Sequence, residues 1–200
     1  SPQGQFEGFL AAGKVNANPI ELIWRRISTT AQRNRMIDFV PIEYNNLAID
    51  DEGFIYATSA AIDSNIVMAE IRSRQGSEQG AVVRRLNMLD RDILRRKGFF
   101  PPVGEIDILD IRFNNLVAYQ GISQIMDVEC GPYGTYSILD NRRKKIFTYD
   151  IEGNLLYAYG GPDVSFGGFH TPVSLAQHEN YMMVLDKNAS LIAVYKQTEF

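Results

Sequence analysis

An all-β fold built from repeated antiparallel hairpins follows from three observations. The first is "LDNRRKKIFTYDIEGNLLYAYGG", residues 139–161, where two apolar runs flank a polar step. Gly153 and Asn154 both tolerate a positive φ, so the step reads as a tight turn between strands at 146–149 and 155–159. The second is a recurrence: Leu139-Asp140 followed by Ile146 and Tyr149 matches Leu185-Asp186 followed by Ile192 and Tyr195, each pair 46 positions apart. The third is a more divergent copy, "NNLAIDDEGFIYATSA" at 45–60, which turns at Asp51-Glu52-Gly53 into a strand at 54–57. Its counterpart is "DVECGPYGTYSILD", in which Tyr136 stands 80 positions after Tyr56. Repeats of about 40–50 residues made of four short strands are the mark of a β-propeller with four-stranded antiparallel blades.

Taken in order, the chain opens with "GQFEGFLAAGKV", residues 4–15, which reads as the last strand of a blade. An amphipathic helix is expected over 18–32: Asn18 suits the N-cap, Pro19 the first helical position, and Ile20, Ile23, Trp24, Ile27 and Ala31 recur at spacings of three and four. Its apolar stripe is expected to pack across a propeller face or edge, leaving Arg25, Arg26, Arg33 and Arg35 in solvent. Residues 38–98 read as a divergent blade with a long insertion. Within it 73–80 is a polar hairpin loop, and 82–88 and 92–96 are its two outer strands, whose charge fits an exposed position. Residues 123–161 form a blade, and 171–200 an incomplete one ending on "LIAVYKQTEF", a third strand. In the strand at 155–159, Leu155, Tyr157 and Tyr159 share one face and Leu156 and Ala158 the other, which predicts a strand covered on both sides.

Residues 138–195 resemble the NHL repeat. A strand ending in Leu-Asp leads through a hairpin to an Ile-x-x-Tyr strand, a Gly-Asn turn and a strand closing on Tyr-Gly-Gly, then a Phe-x-x-Pro lead into the next blade. Gly160, Gly161, Phe169 and Pro172 fall where that pattern places them. The match is good over 123–200 and loose over 38–98. The resemblance implies a propeller, usually six-bladed, and no single activity. Six blades of this length need roughly 270 residues against the 200 present, so residues 1–200 are expected to be one propeller domain or a piece of one. The two ends would complete each other, or further blades or a second copy would complete the ring, since an open arc leaves strand edges that invite pairing.

Charge and composition narrow the function. A formal charge of −4 opposes a general nucleic-acid or anionic-membrane role, and no apolar run approaches the roughly 18 residues that span a bilayer. The run "NRRKK" at 141–145 falls in a hairpin loop whose repeat copy is "KNASL"; it reads as a solvated turn, with no interleaved aromatics to stack bases. RNA binding is therefore the third choice. The single cysteine, Cys130, forms no internal disulfide and reads as a small buried residue near a turn.

Catalysis by a propeller of the lactone-hydrolysing kind would need carboxylates, amides or imidazoles converging at the inner ends of several blades around a metal. Only His170 and His178 exist, one on each side of a single strand, and no nucleophile elbow or phosphate loop is present. Asp140 and Asp186 recur with the repeat, so each is expected to accept backbone hydrogen bonds in its own hairpin. The expected function is a non-catalytic scaffold for a protein or glycan ligand, without a cofactor. The resemblance points to a bacterial surface or secreted multidomain protein. The alternative is a metal-dependent hydrolase or lyase of the gluconolactonase-like propeller class. Topology nominates Tyr44, Asn45, Asn46, Gln124, His170 and Thr171 for ligand contact, because loops leading into inner strands line a propeller's channel mouth.

Overall fold

Hairpin chemistry dictates the architecture. The computed structural model describes residues 43–59, 65–66, 80–96, 123–162 and 167–198. They form three antiparallel sheets in which strands follow one another as neighbours. The first holds β1 (Asn46–Ile49), β2 (Ile55–Thr58) and β3 (Val83–Leu86). The second holds β4 (Ile125–Cys130), β5 (Tyr136–Asp140), β6 (Lys145–Tyr149) and β7 (Leu155–Gly160). The third holds β8 (Pro172–His178), β9 (Tyr181–Asp186) and β10 (Leu191–Lys196). The expected helix at 18–32, the strand at 4–15 and the loop at 73–79 lie outside the described residues.

The turns are made by Asp and Gly acting together. In the β6–β7 hairpin the Gly153 N–H donates to the Asp150 carbonyl at 3.0 Å, the Asp150 side chain accepts the Asn154 N–H at 2.8 Å, and Gly153 has φ 82°. The β1–β2 hairpin repeats this with Asp50, Gly53 and Phe54: Gly53 has φ 83° and the Asp50 carboxylate accepts the Phe54 N–H at 2.8 Å. Asp140 and Asp186 do what the repeat predicts. Asp140 Oδ1 accepts the N–H of Arg142 at 2.9 Å and of Gln124 at 3.1 Å, and Asp186 Oδ1 accepts those of Thr171 at 2.9 Å and Ala189 at 3.1 Å. Each carboxylate thus ties the turn after the second strand to the residue leading into the first.

The first strands of the three sheets lie side by side: β1 packs on β4 and β4 on β8. Their starts are cross-linked. Asn45 Nδ2 donates to the Met126 carbonyl at 2.8 Å, while Asp127 Oδ2 accepts the Leu175 N–H at 2.6 Å and the Ser174 hydroxyl at 2.7 Å. Meander sheets stacked with their first strands together make a propeller-like, all-β arrangement. One core layer, with Tyr56, Val83, Val128, Tyr136, Ile138 and Phe147, fills the space between the first and second sheets; another, with Leu139, Ile146, Phe169, Leu175, Met182 and Val184, lies between the second and third. The second sheet is therefore apolar on both faces, and burying each such side chain contributes about 1.5–3 kcal/mol.

Four expectations need correction. β7 is not covered on both sides: it is the outermost strand of its sheet, and Leu155, Leu156 and Tyr157 are exposed. The charged strands at 82–88 and 92–96 are not solvent-facing outer strands. β3 is buried, with Arg85 7% exposed between Asp50 at 2.6 Å and Glu52 at 2.8 Å and its guanidinium 4.4 Å from the centre of the Phe54 ring. Of 92–96 only Asp92 pairs, through an isolated bridge to Leu86. The "NRRKK" turn is not wholly solvated: Arg143 is buried and bonds Asp140 at 3.0 Å and the Ser123 hydroxyl at 3.1 Å. Finally, Tyr56 is not the counterpart of Tyr136. Their rings meet at 5.1 Å, Tyr56 pointing toward the second sheet and Tyr136 toward the first, whereas equivalent residues of neighbouring blades would point the same way. The true offset is 81: the Ser59 hydroxyl donates to the Glu43 carbonyl at 2.7 Å where Asp140 holds Gln124. A shift of one residue along a strand exchanges its two faces.

Candidate functional site

The residues nominated from topology gather where the inner strands begin, but much of their hydrogen-bonding capacity is structural. Asn45 is exposed, yet its side-chain amide joins the first sheet to the second through the Ile125 and Met126 carbonyls. Asn46 turns its Oδ1 onto the Leu47 N–H at 2.8 Å. Gln124 and Thr171 give their N–H groups to Asp140 and Asp186, and the His170 N–H also donates to Asp186. His170 Nδ1 lies 3.2 Å from the Thr171 hydroxyl. Tyr44 is half-buried, and burial raises its hydroxyl pKa against the opposing charge of Arg84. Asn45 is thus brought to the start of β4 and His170 to Thr171.

Burial pushes the Asp186 carboxyl up, but the N–H groups of Thr171, Ala189 and His170 together outweigh it and hold the pKa below the usual aspartate value. A carboxylate so held is an acceptor for the backbone, not a proton donor at neutral pH. At the opposite ends of the inner strands, Ile49, Asp51, Glu129, Cys130, Gln177 and Glu179 border a polar cleft of about 370 Å³. Burial raises the Glu129 carboxyl, and it raises the Cys130 thiol to about 12, which keeps that sulfur protonated and unreactive. Among the described residues no three His, Cys, Asp or Glu side chains are grouped so as to hold a metal ion.

A different cleft is lined by tyrosines. It lies between the second and third sheets, has a volume of about 330 Å³, and is lined by Tyr157 and Tyr159 of β7, Tyr181 of β9, and Tyr195 and Lys196 of β10, with Gln177 at its edge. The strand period explains the first pair: two residues apart on β7, Tyr157 and Tyr159 share a face, their ring centres 6.2 Å apart. Tyr159 reaches across to Tyr195 at 5.0 Å, and Tyr195 is fixed from behind by Phe169 at 5.7 Å and by its hydroxyl donating to the Gly167 carbonyl. Lys196 Nζ sits 5.9 Å above the Tyr181 ring. Burial raises the hydroxyl pKa of Tyr159 and of Tyr195, so both stay neutral donors at physiological pH. Tyr157 and Tyr181 are about 40% exposed.

Known proteins add a likeness of shape. No family model matches the chain. No curated protein matches it in sequence. Among solved structures, the computationally designed proteins Ika8 and Ika4 are each 12% identical to it, with TM-scores of 0.44 and 0.43; 80% of this chain is covered in both, against 35% of Ika8 and 69% of Ika4. Virginiamycin B lyase from Staphylococcus aureus is 10% identical, with a TM-score of 0.41, over 79% of this chain and 42% of the lyase. The chain thus spans well under half the length of Ika8 and of the lyase, and their properties remain their own.

The tyrosine cleft was partly visible in the sequence, in the shared face of Tyr157 and Tyr159 and in Tyr195 as the repeat partner of Tyr149. Tyr181 could not be found that way. It joins the cleft only because the third sheet packs against the second, bringing it to residues 22 and 24 positions away that no local pattern relates to it.

Proposed function

We propose that this chain is a section of an NHL-like propeller acting as a non-catalytic binding scaffold, with a saccharide as its ligand and the tyrosine cleft as its site. The observation that carries this reading is the cleft: four tyrosines from two sheets surround about 330 Å³, at the lower end of the roughly 300–1,000 Å³ typical of ligand sites. Tyrosine offers a flat apolar ring and a polar tip, which suits a sugar that has C–H faces and a rim of hydroxyls. Gln177 and Lys196 supply fixed polar groups beside the rings. Such a ligand accords with a surface or secreted setting.

The metal-dependent hydrolase or lyase reading gains no comparable support. Asp140 and Asp186 are engaged by backbone N–H groups, Asp127 by Ser174 and Leu175, and His170 is bonded to its neighbour. The test is a glycan array probed with the full chain and with Tyr157→Ala and Tyr181→Ala variants. Binding by the full chain that falls at least tenfold in either variant, with thermal stability unchanged, is expected. Binding untouched by both substitutions, or no binding to any glycan, would remove the saccharide reading.

A further inference from the structure

The repeat shows which faces of a sheet are meant to be covered, and among the described residues two such faces are exposed. On the second sheet Leu139 and Ile146 are 0% exposed beneath the third sheet; their repeat counterparts on the third sheet, Leu185 and Ile192, are 46% and 62% exposed, and Val194 beside them is 60% exposed. At the other end the same comparison applies to the inner strands. Val128 is 1% exposed against the first sheet and Leu175 6% against the second, whereas Leu47, standing 81 positions before Val128, is 62% exposed. The third sheet therefore ends on the face that elsewhere in the molecule receives an inner-strand aliphatic residue, and the first sheet ends on an uncovered residue of that kind.

From this complementarity we infer that a second copy of the chain covers both faces: Leu185 and Ile192 of each copy receive Leu47 of the other. The contact continues an interface already formed twice within the chain, first sheet on second and second on third. The pair is two-fold symmetric, Leu47 of each copy meeting Leu185 and Ile192 of the other, so the same contact occurs twice and covers both faces. Two copies bring six described sheets together, inside the four to eight of propeller rings. Isolated exposed aliphatics need no partner, but a contiguous apolar face whose equivalents are fully buried does.

The full chain is examined by sedimentation velocity over a wide concentration range, alongside Leu185→Glu and Leu47→Lys single variants and the double variant. Both substituted positions are exposed in one copy, so circular dichroism and melting are expected to report an intact fold. The full chain should sediment as a dimer, each single variant should weaken association by roughly 30-fold or more, as loss of a central contact does, and the double variant, which places opposite charges across the contact, should recover much of it. A monomer at every concentration, or a dimer indifferent to both substitutions, overturns the inference.

Discussion

Tyr136 shows how a single buried group can work against the fold that holds it. Its ring is fully buried, stacked on Tyr149 at 5.3 Å and against Tyr56 at 5.1 Å, but its hydroxyl has no hydrogen-bond partner. Burial accordingly drives the hydroxyl pKa far up. An unsatisfied buried donor costs about 1–3 kcal/mol, while the ring keeps its packing if the oxygen is removed. Tyr136→Phe is expected to raise the melting temperature in differential scanning calorimetry, by the equivalent of up to about 1 kcal/mol; a lowered one would mean that the hydroxyl is bonded. Asp186 works in the other direction. Its folded-state pKa is depressed, so its contribution to stability is full above the unfolded value of about 3.9 and is lost as pH falls through the lower folded value. Urea titrations from pH 6 downward should show stability falling below about pH 4, and Asp186→Asn should flatten that fall. An unchanged slope would assign the acid sensitivity to other carboxylates.

Elements were legible where local chemistry decides them. The β6–β7 hairpin sits where Gly153 and Asn154 predict it, because an Asp side chain and a positive-φ glycine define that turn without outside help. The same Asp-x-x-Gly device shapes the β1–β2 turn. A Cβ at Gly153 would collide with the Arg95 carbonyl and force a side chain to φ 82°. Gly153→Val is therefore expected to destabilise by about 1–3 kcal/mol, measured by chemical denaturation; a neutral result would contradict the turn. Exposure was less legible. Charged residues at 84 and 85 suggest solvent, yet both arginines are buried, Arg85 because Asp50, Glu52 and Phe54 converge on its guanidinium from another hairpin. Tyrosines at 157 and 159 suggest a covered strand, yet β7 closes its sheet on the outside. Burial depends on which sheet lies opposite, and that is settled by residues far away in sequence.

At the scale of the whole molecule, the 46-residue recurrence of Leu, Asp, Ile and Tyr disclosed the relation of the second and third sheets, since the same residues hold the same register positions in each. The first sheet was placed one residue out of register because its copy of the aspartate staple is Ser59, a different residue performing the same hydrogen-bonding task. The site was the least legible part. Residues leading into the inner strands carry sheet-to-sheet hydrogen bonds, whereas the tyrosine cleft opens between the second and third sheets. Its tyrosines come from β7, β9 and β10, so it exists only once the sheets have stacked.

The most direct measurement is a nuclear magnetic resonance titration of ring-labelled tyrosine in the full chain with the saccharide that the glycan array selects. Shifts at Tyr157, Tyr159, Tyr181 and Tyr195, with Tyr44, Tyr56, Tyr136 and Tyr149 unmoved, are the predicted result. Shifts confined to Tyr44 and its neighbours at the start of the inner strands, or no shift at any tyrosine, would contradict it.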